Sequence, residues 1–328
     1  MGKGTWRVAG HSAVVESLAR SVDRPAHAYL FLGPARVGKT TMALELAKAL
    51  NCLEVDRPCQ VCSECKLITR ASHPDVTLLL PNEKENVVIE QARQLRQEIS
   101  LFPSQARKRV VIMAGDRLTE PAADALLKTL EEPPEHVVLI LTGHELESIP
   151  ETVVSRCRLV GFGFVAAPDI VSELVDRGID TERAEKLASL AYGAPGWAIE
   201  ASSDDDLVAR RESMRSDLGA WTGGSVLERL RAAEGLAGGG GKLDRARATS
   251  LEELELMITW WRDVLVTAAG QPDLVLNAGE RSDLERQASA ETVAGALRAI
   301  RAIGTAATRI DENVDPRLAL EALAVGGG

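Results

Sequence analysis

Eight consecutive residues constrain this chain more than any other stretch of it: Gly33-Pro34-Ala35-Arg36-Val37-Gly38-Lys39-Thr40. They fit the spacing G-x-x-x-x-G-K-[ST], which carries meaning only between a buried strand and a helix. Both flanks are present, an apolar run at residues 28–32 before the loop and a helical pattern at 40–51 after it. In that setting glycines let backbone N–H groups converge on phosphate oxygens, and the helix N-terminus adds a favourable dipole. Lys39 can then reach the β- and γ-phosphates, and the Thr40 hydroxyl can ligate Mg²⁺. The expected binding set is Gly33, Gly38, Lys39, Thr40 and Thr41, and the expected cofactor is ATP or ADP with Mg²⁺.

A loop of this kind belongs to a parallel sheet, and the first half of the chain reads as one. Apolar runs recur at residues 28–32, 76–80, 110–114, 137–142 and 158–162. Each is continuous rather than alternating, as strands covered on both faces are. Helical segments at 40–51, 89–100 and 121–132 separate them, which implies an α/β domain over residues 1–163. Beyond it the strand signal stops. Residues 164–206 read as a small helical domain, with a core helix at 182–191 and a break at Gly193-Ala194-Pro195-Gly196. Residues 207–328 read as a second, all-α domain, interrupted by Gly238-Gly239-Gly240-Gly241, a flexible loop by composition. Trp260 and Trp261 lie in an apolar helix at 251–269 and are expected in a core or at a subunit contact.

Charge and composition exclude some roles. A net charge of −10 argues against a stand-alone nucleic-acid binder, whose surface is usually basic. Aromatic residues at 3% leave little for a base-stacking platform. There is no run of 18 apolar residues and no apolar core of a signal peptide after Met1, so no membrane role and a cytoplasmic location are expected.

Four of the five cysteines, Cys52, Cys59, Cys62 and Cys65, are spaced C-x₆-C-x₂-C-x₂-C. In a cytoplasmic chain that clustering reads as metal binding rather than a disulfide framework. Four thiolates close a tetrahedral Zn²⁺ site with no open position, so a structural knuckle is expected over residues 52–65. Four free cysteines, or an iron–sulfur cluster without any other redox signal, are the competing readings.

A hydrolysing site of this class also needs a strand ending in Asp-Glu, one acid for the metal and one for the attacking water. The candidate strand runs Val110-Val111-Ile112-Met113-Ala114-Gly115-Asp116, with Met113 and Ala114 at the acid positions. Asp116 lies three residues on, an odd shift that along a strand points it to the opposite face. Nucleotide binding with little or no hydrolysis is expected.

Ser155-Arg156-Cys157 precedes the last strand of the first domain. Read alone, Arg156 is either a surface salt-bridge partner or a residue that reaches a phosphate in a neighbouring subunit. Other stretches narrow the choice. They are His27-Ala28-Tyr29-Leu30-Phe31-Leu32-Gly33-Pro34, the cysteine cluster, Ser72-His73-Pro74-Asp75, Ile89-Glu90-Gln91-Ala92-Arg93, Asp116-Arg117-Leu118-Thr119 and Ala125-Leu126-Leu127-Lys128-Thr129-Leu130-Glu131-Glu132-Pro133-Pro134. Together with Ser155-Arg156-Cys157 they resemble the clamp-loader AAA+ family, and within it the delta-prime subunits of bacterial DNA polymerase III. The likeness is good over residues 6–163 and thin afterwards, apart from Asn313-Val314-Asp315-Pro316-Arg317-Leu318-Ala319-Leu320-Glu321.

The resemblance implies an AAA+ domain with a parallel sheet and zinc knuckle, a helical lid at 164–206 and an all-α collar at 207–328. It implies that Arg156 acts in trans as an arginine finger, that Thr142 holds the sensor-1 position, and that the lid's sensor-2 arginine is replaced by Gly196. Arg36 takes a loop place that is often glycine. The implied partners are tau/gamma motor and delta subunits in a hetero-oligomer, with the sliding clamp and primer-template DNA reached through the complex. Two rivals stand beside this reading. A hydrolysing tau/gamma-type ATPase shares the phosphate loop, the cysteines and Ser-Arg-Cys, but Met113, Ala114 and Gly196 oppose it. A zinc-dependent nucleic-acid module is opposed by the acidic charge and the few aromatics.

Overall fold

The computed structural model describes residues 4–82, 86–237, 243–276 and 281–326, so the expected Gly238–Gly241 loop lies outside the described residues. The chain divides into two compact units, Met1–Val165 with Ala194–Gly196, and Ala166–Gly193 with Trp197–Gly328.

The first unit runs α1 (Ser12–Ser21), β1 (Ala28–Leu32), α2 (Lys39–Asn51), α3 (Ser63–Thr69), β2 (Val76–Leu79) and α4 (Ile89–Ile99). It continues through β3 (Arg109–Ala114), a 3₁₀ turn (Gly115–Arg117), α5 (Glu120–Glu131), β4 (Val137–Gly143), α6 (Glu151–Val154) and β5 (Arg158–Gly161). All strand pairings are parallel, in the order β2-β3-β4-β1-β5. Side-chain alternation splits the strands between two cores. Tyr29, Phe31, Val110, Ile112, Val138 and Ile140 pack with Leu18 of α1 and Met42 and Leu46 of α2. Leu30, Val111, Met113, Leu139 and Leu141 pack on the other face with Leu95 of α4 and Leu126 and Leu130 of α5. Each central run is apolar throughout because both of its faces meet a helical layer.

Two of the five runs depart from that expectation. β2 and β5 are the sheet edges, and Leu78 and Leu159 are exposed. A short apolar run looks the same at an edge as in the centre; only pairing order separates them. The order also fixes the ligand end. In parallel sheets ligands bind outside the carboxyl ends of the strands, and here the phosphate loop, the 3₁₀ turn and the segment after β4 all emerge at that end.

The second unit is helical throughout its described residues: α7 (Ala167–Asp176), α8 (Thr181–Leu190), α9 (Pro195–Ala201), α10 (Asp205–Gly223), α11 (Val226–Ala237), α12 (Leu243–Ala268), α13 (Arg281–Ala290), α14 (Val293–Asp311) and α15 (Pro316–Gly326), with the first residues of α9 counted in the first unit. Side-chain caps set three starts: Asp180 accepts from the Arg183 amide, Asp204 from Leu207 and Thr292 from Gly295. Trp221, Leu254, Met257, Trp260, Ile303 and Leu320 form its main core, with Trp261 packed against it. Trp260 Nε1 donates to Gln287 Oε1 at 2.8 Å, so Trp260 is a buried core residue with its polar atom satisfied, while Trp261 is half-buried against that core.

Glu253 of α12 is fully buried, and neither of its carboxylate oxygens has a hydrogen bond among the described residues. Burial, and then the Asp217 charge, push its carboxyl up to about 8 against the pull of Arg211. A glutamate in the unfolded chain titrates near about 4.3, so folding takes up a proton. The sign follows: this group's contribution to stability is full below the unfolded value and is lost as pH rises through about 8. Glu253→Gln is therefore expected to raise the melting temperature at pH 8–9 by an amount worth a few kcal/mol, with the difference from the parent shrinking toward pH 5. Parallel melting curves for parent and variant across that range contradict this assignment.

Candidate nucleotide, metal and arginine sites

The phosphate loop joins β1 to α2. Gly33 has φ +151°, and a Cβ placed there would lie 2.2 Å from the Phe162 carbonyl oxygen, so no other residue fits. The Gly33 amide donates to the Gly143 carbonyl at 3.2 Å, which ties the loop to the end of β4. Gly38, at φ +103°, caps α2 and leads Lys39, Thr40 and Thr41 into its first turn. Arg36 adopts the left-handed region at φ +58°, a conformation glycine takes at no cost, which is the physical meaning of a non-glycine residue at that place. Lys39 is nearly buried, and its Nζ donates to the Gly33 and Pro34 carbonyls at 2.6 and 2.7 Å. The loop thus carries a converging backbone, a helix N-terminus and a retained ammonium, a donor set that suits a polyphosphate.

The acid positions are filled by carbon. Met113 is only 1% exposed, in the core beneath α4 and α5, and Ala114 pairs with Thr142 across β3 and β4. Neither residue can hold a metal or take a proton. The strand-alternation expectation for Asp116 fails, because β3 ends at Ala114 and Asp116 belongs to the 3₁₀ turn. Its Oδ2 accepts from both the His144 amide, at 3.2 Å, and His144 Nδ1, at 2.5 Å. Burial raises the Asp116 carboxyl, but the His144 bond and charge outweigh it and hold the group below the usual carboxylate range. The sequence reading missed this pair, since nothing in the spacing of residues 116 and 144 links them. Gly196 donates its amide to the Arg36 carbonyl at 2.8 Å, and a Cβ there would lie 2.8 Å from that same oxygen. Any larger side chain at 196 would have to move the loop.

Cys52, Cys59, Cys62 and Cys65 converge, with all four Sγ atoms within 4.8 Å of one another and Cys52 and Cys62 at 3.9 Å. A tetrahedral Zn²⁺ with Zn–S bonds of about 2.3 Å needs sulfurs about 3.8 Å apart, so the cluster can hold a metal of that kind. The Cys59 amide donates to Cys52 Sγ, and the Val61 and Cys62 amides to Cys59 Sγ. Burial raises the Cys59 thiol, yet these two amides and the neighbouring thiols bring it down to about 7. Burial pushes Cys52 and Cys65 up.

The module is pinned on both sides. Glu45 and Lys48 of α2 form a buried pair at 2.7 Å, and Gln60 bonds to both. Glu64 of α3 pairs with His73 Nε2 at 2.6 Å, while His73 Nδ1 accepts from the Asp75 amide. The Asp75 carboxylate, fully buried, accepts from the Ser104, Gln105 and Ala106 amides and from Arg109 Nη2. Burial opposes that charge, but the three amides outweigh it and hold Asp75 far below the usual range. Ser72-His73-Pro74-Asp75 is thus the strap between the cysteine module and the sheet.

Arg156 lies in the turn between α6 and β5. Its Nη2 donates to Glu131 Oε1 at 2.5 Å, and its Nη1 to the Thr152 carbonyl and Ser155 Oγ at 2.8 and 3.1 Å. About a third of the side chain is exposed. Glu131, the last residue of α5, is a partner that sequence spacing did not reveal. Burial raises the neighbouring Cys157 thiol to about 11.

Comparison with known proteins adds relatives. A family model described as "DNA polymerase III, delta subunit" matches residues 10–165. The chain is similar to DNA polymerase III subunit delta' of Bacillus subtilis (strain 168), 32% identical over 191 residues, 58% of this chain and 57% of that protein. It is similar to the delta' subunit of Haemophilus influenzae at 31% over 193 residues, 58% of this chain and 59% of that one. The tau subunit of Bacillus subtilis is 35% identical over 205 residues, 60% of this chain but 36% of the relative. The chain spans between about a third and three fifths of the length of these relatives. Identity to the delta' relatives and to the tau relative is comparable.

Proposed function

We propose that the chain is a DNA polymerase III clamp-loader protein that serves as a delta-prime subunit, holding nucleotide with little or no hydrolysis and lending Arg156 to a neighbouring motor subunit; the family match over residues 10–165 and the delta' relatives support this reading. The observation that carries the reading is Met113: the acid position for metal and water is sealed into apolar core, while Lys39 and Thr40 remain in the loop. Ala114 and the close approach of Gly196 to Arg36 support it, since the second acid and the sensor-2 arginine are both missing. Lys39, Thr40 and Thr41, with Gly33 and Gly38, would hold the phosphates of ATP or ADP and their Mg²⁺, and Thr142 would stand at sensor 1. Cys52, Cys59, Cys62 and Cys65 would hold one structural Zn²⁺.

In this reading residues 164–206 form the lid and 207–328 the collar that joins tau/gamma motor and delta subunits, with clamp and primer-template DNA engaged by the complex. The setting is the cytoplasm; among the described residues, no helix is long and apolar enough to cross a membrane. A hydrolysing tau/gamma-type subunit is the rival that the tau relative keeps in view. The two separate in one assay. Purified protein is expected to bind Mg²⁺-nucleotide, to lose binding on Lys39→Ala, and to turn ATP over at near-background rates. Robust Mg²⁺-dependent hydrolysis that Lys39→Ala abolishes would establish the motor reading instead.

A further inference from the structure

Residues 4–11 touch both of the sites assigned above and belong to neither. At one end they lie on the cysteine module. The Thr5 amide donates to the Pro58 carbonyl at 2.9 Å, and Gln60 Nε2 donates to the Thr5 carbonyl at 2.6 Å. Gly4 is pressed so closely on the same backbone that a Cβ there would lie 2.0 Å from the Arg57 carbonyl oxygen. At the other end they lie on the phosphate loop. Val8 Cγ1 is 3.6 Å from the point where a Cβ on Gly38 would stand. His11 Nε2 is 2.9 Å from the Val37 carbonyl, which only accepts, so that nitrogen carries a proton. The His11 ring also meets Phe162 edge-on at 4.9 Å, and the Phe162 carbonyl is the group that crowds Gly33. Between the two ends, Trp6 and Val8 rest against the core of the first unit.

Residues 4–11 form no helix or strand, so their position is set by the contacts at their two ends and by the side chains between. A segment of this kind docks or loosens as one piece. Helix α2 also joins the two sites, with Lys39 at its start and Cys52 just past its end. Met42, Ala43, Leu46, Ala47 and Leu50 fix that helix in the core, so it has little room to respond to a metal. The module differs. Pro58 and Gln60 stand on either side of Cys59 in a stretch without regular structure. An ion that draws four sulfurs together therefore orders the backbone on which Gly4 and Thr5 dock.

We propose that residues 4–11 are a strap through which metal in the cysteine module and nucleotide at the phosphate loop strengthen each other's binding. The proposal rests on the metal and nucleotide readings above and adds a link between them. With the module closed, the strap docks and steadies Val37 and Gly38 in the loop. With the module open, docking is lost and nucleotide alone has to order the loop. Such a coupling is reciprocal: metal tightens nucleotide by the same factor by which nucleotide tightens metal.

Equilibrium competition for zinc between the full chain and a chromogenic zinc chelator, with and without saturating Mg²⁺-ADP, tests this. The parent is expected to hold zinc about 5- to 150-fold more tightly with ADP present, the usual span of such couplings. Gly4→Ala forces the segment off Arg57 and Pro58 without touching a cysteine or the loop. His11→Asn withdraws the donor from Val37 and keeps a residue that tolerates the left-handed φ of +56°. Each variant should still fold, carry zinc and bind Mg²⁺-ADP, while the ADP effect on zinc shrinks below about twofold. An ADP effect that is absent from the parent overturns the strap. So does one that persists in either variant, as it would if metal loss simply unfolded the chain. The readings beneath fail differently. A parent without zinc refutes the metal site, a parent whose Mg²⁺-ADP binding is absent or indifferent to Lys39→Ala refutes the nucleotide site, and in either case the strap falls too.

Discussion

Replacing Arg156 with alanine is expected to lower DNA- and clamp-stimulated ATP hydrolysis by the adjoining motor subunit by about 10³- to 10⁵-fold, the effect of removing an arginine finger. A phosphoryl transition state spreads charge over the γ-phosphate oxygens, and a planar guanidinium brought in from another chain neutralises it. Folding should be almost untouched. The bonds lost are to Glu131, Thr152 and Ser155 at the surface, and an exposed ion pair is worth about 0–1 kcal/mol. Lysine should rescue poorly, because it offers a point charge where the site asks for a fork. The Glu131 bond makes a second variant informative. Glu131→Gln removes the partner's charge and leaves Arg156 in place, so assembly and hydrolysis should persist. Steady-state ATPase and clamp-loading rates of the reconstituted complex check both. An Arg156→Ala subunit that assembles and supports parental rates returns Arg156 to a salt bridge with Glu131.

Zinc removal is expected to have the largest effect on stability. Structural zinc sites in small peptides are worth about 10–16 kcal/mol of apparent binding. The loss here should be smaller, several kcal/mol, because Glu45-Lys48-Gln60 and Glu64-His73 still tie the loop to α2 and to the strand β2 segment. Freshly purified protein should carry one zinc per chain. Cys62→Ser, or chelation, should lower the melting temperature and expose residues 52–65 to proteolysis. Metal analysis below about half an equivalent, or a Cys62→Ser protein that melts like the parent, counts against a structural zinc.

Much of the first unit was legible because its signals are local. A phosphate loop needs a glycine at a fixed distance from a lysine, a continuous apolar run needs two covered faces, and four thiolates at short spacing need one metal. Each of those is a constraint along the chain, which is why Gly33, Lys39, Met113 and the four clustered cysteines stand out in the sequence alone. Pairing order was not legible. Runs 76–80 and 158–162 look like buried strands and are edges, since the same apolar residues serve a strand with one neighbour or two. Partnerships across long separations were also hidden. His144 meets Asp116 over 28 residues, Arg156 meets Glu131 over 25, and Glu253 depends on Asp217 and Arg211 of another helix.

The chain itself determined its chemical inventory: a phosphate-loop motif, Met113 and Ala114 at the two acid positions, and four closely spaced cysteines. Tertiary structure decided which of those groups are held, by what and how accessible they remain. Asp116 shows the difference. Its sequence position suggested a strand residue pointing the wrong way, and folding instead ends β3 two residues earlier and closes its carboxylate on His144. The physical reason is that covalent spacing sets a residue's identity and its local conformation, whereas its charge state and partner are set by groups that only folding brings within about 3 Å.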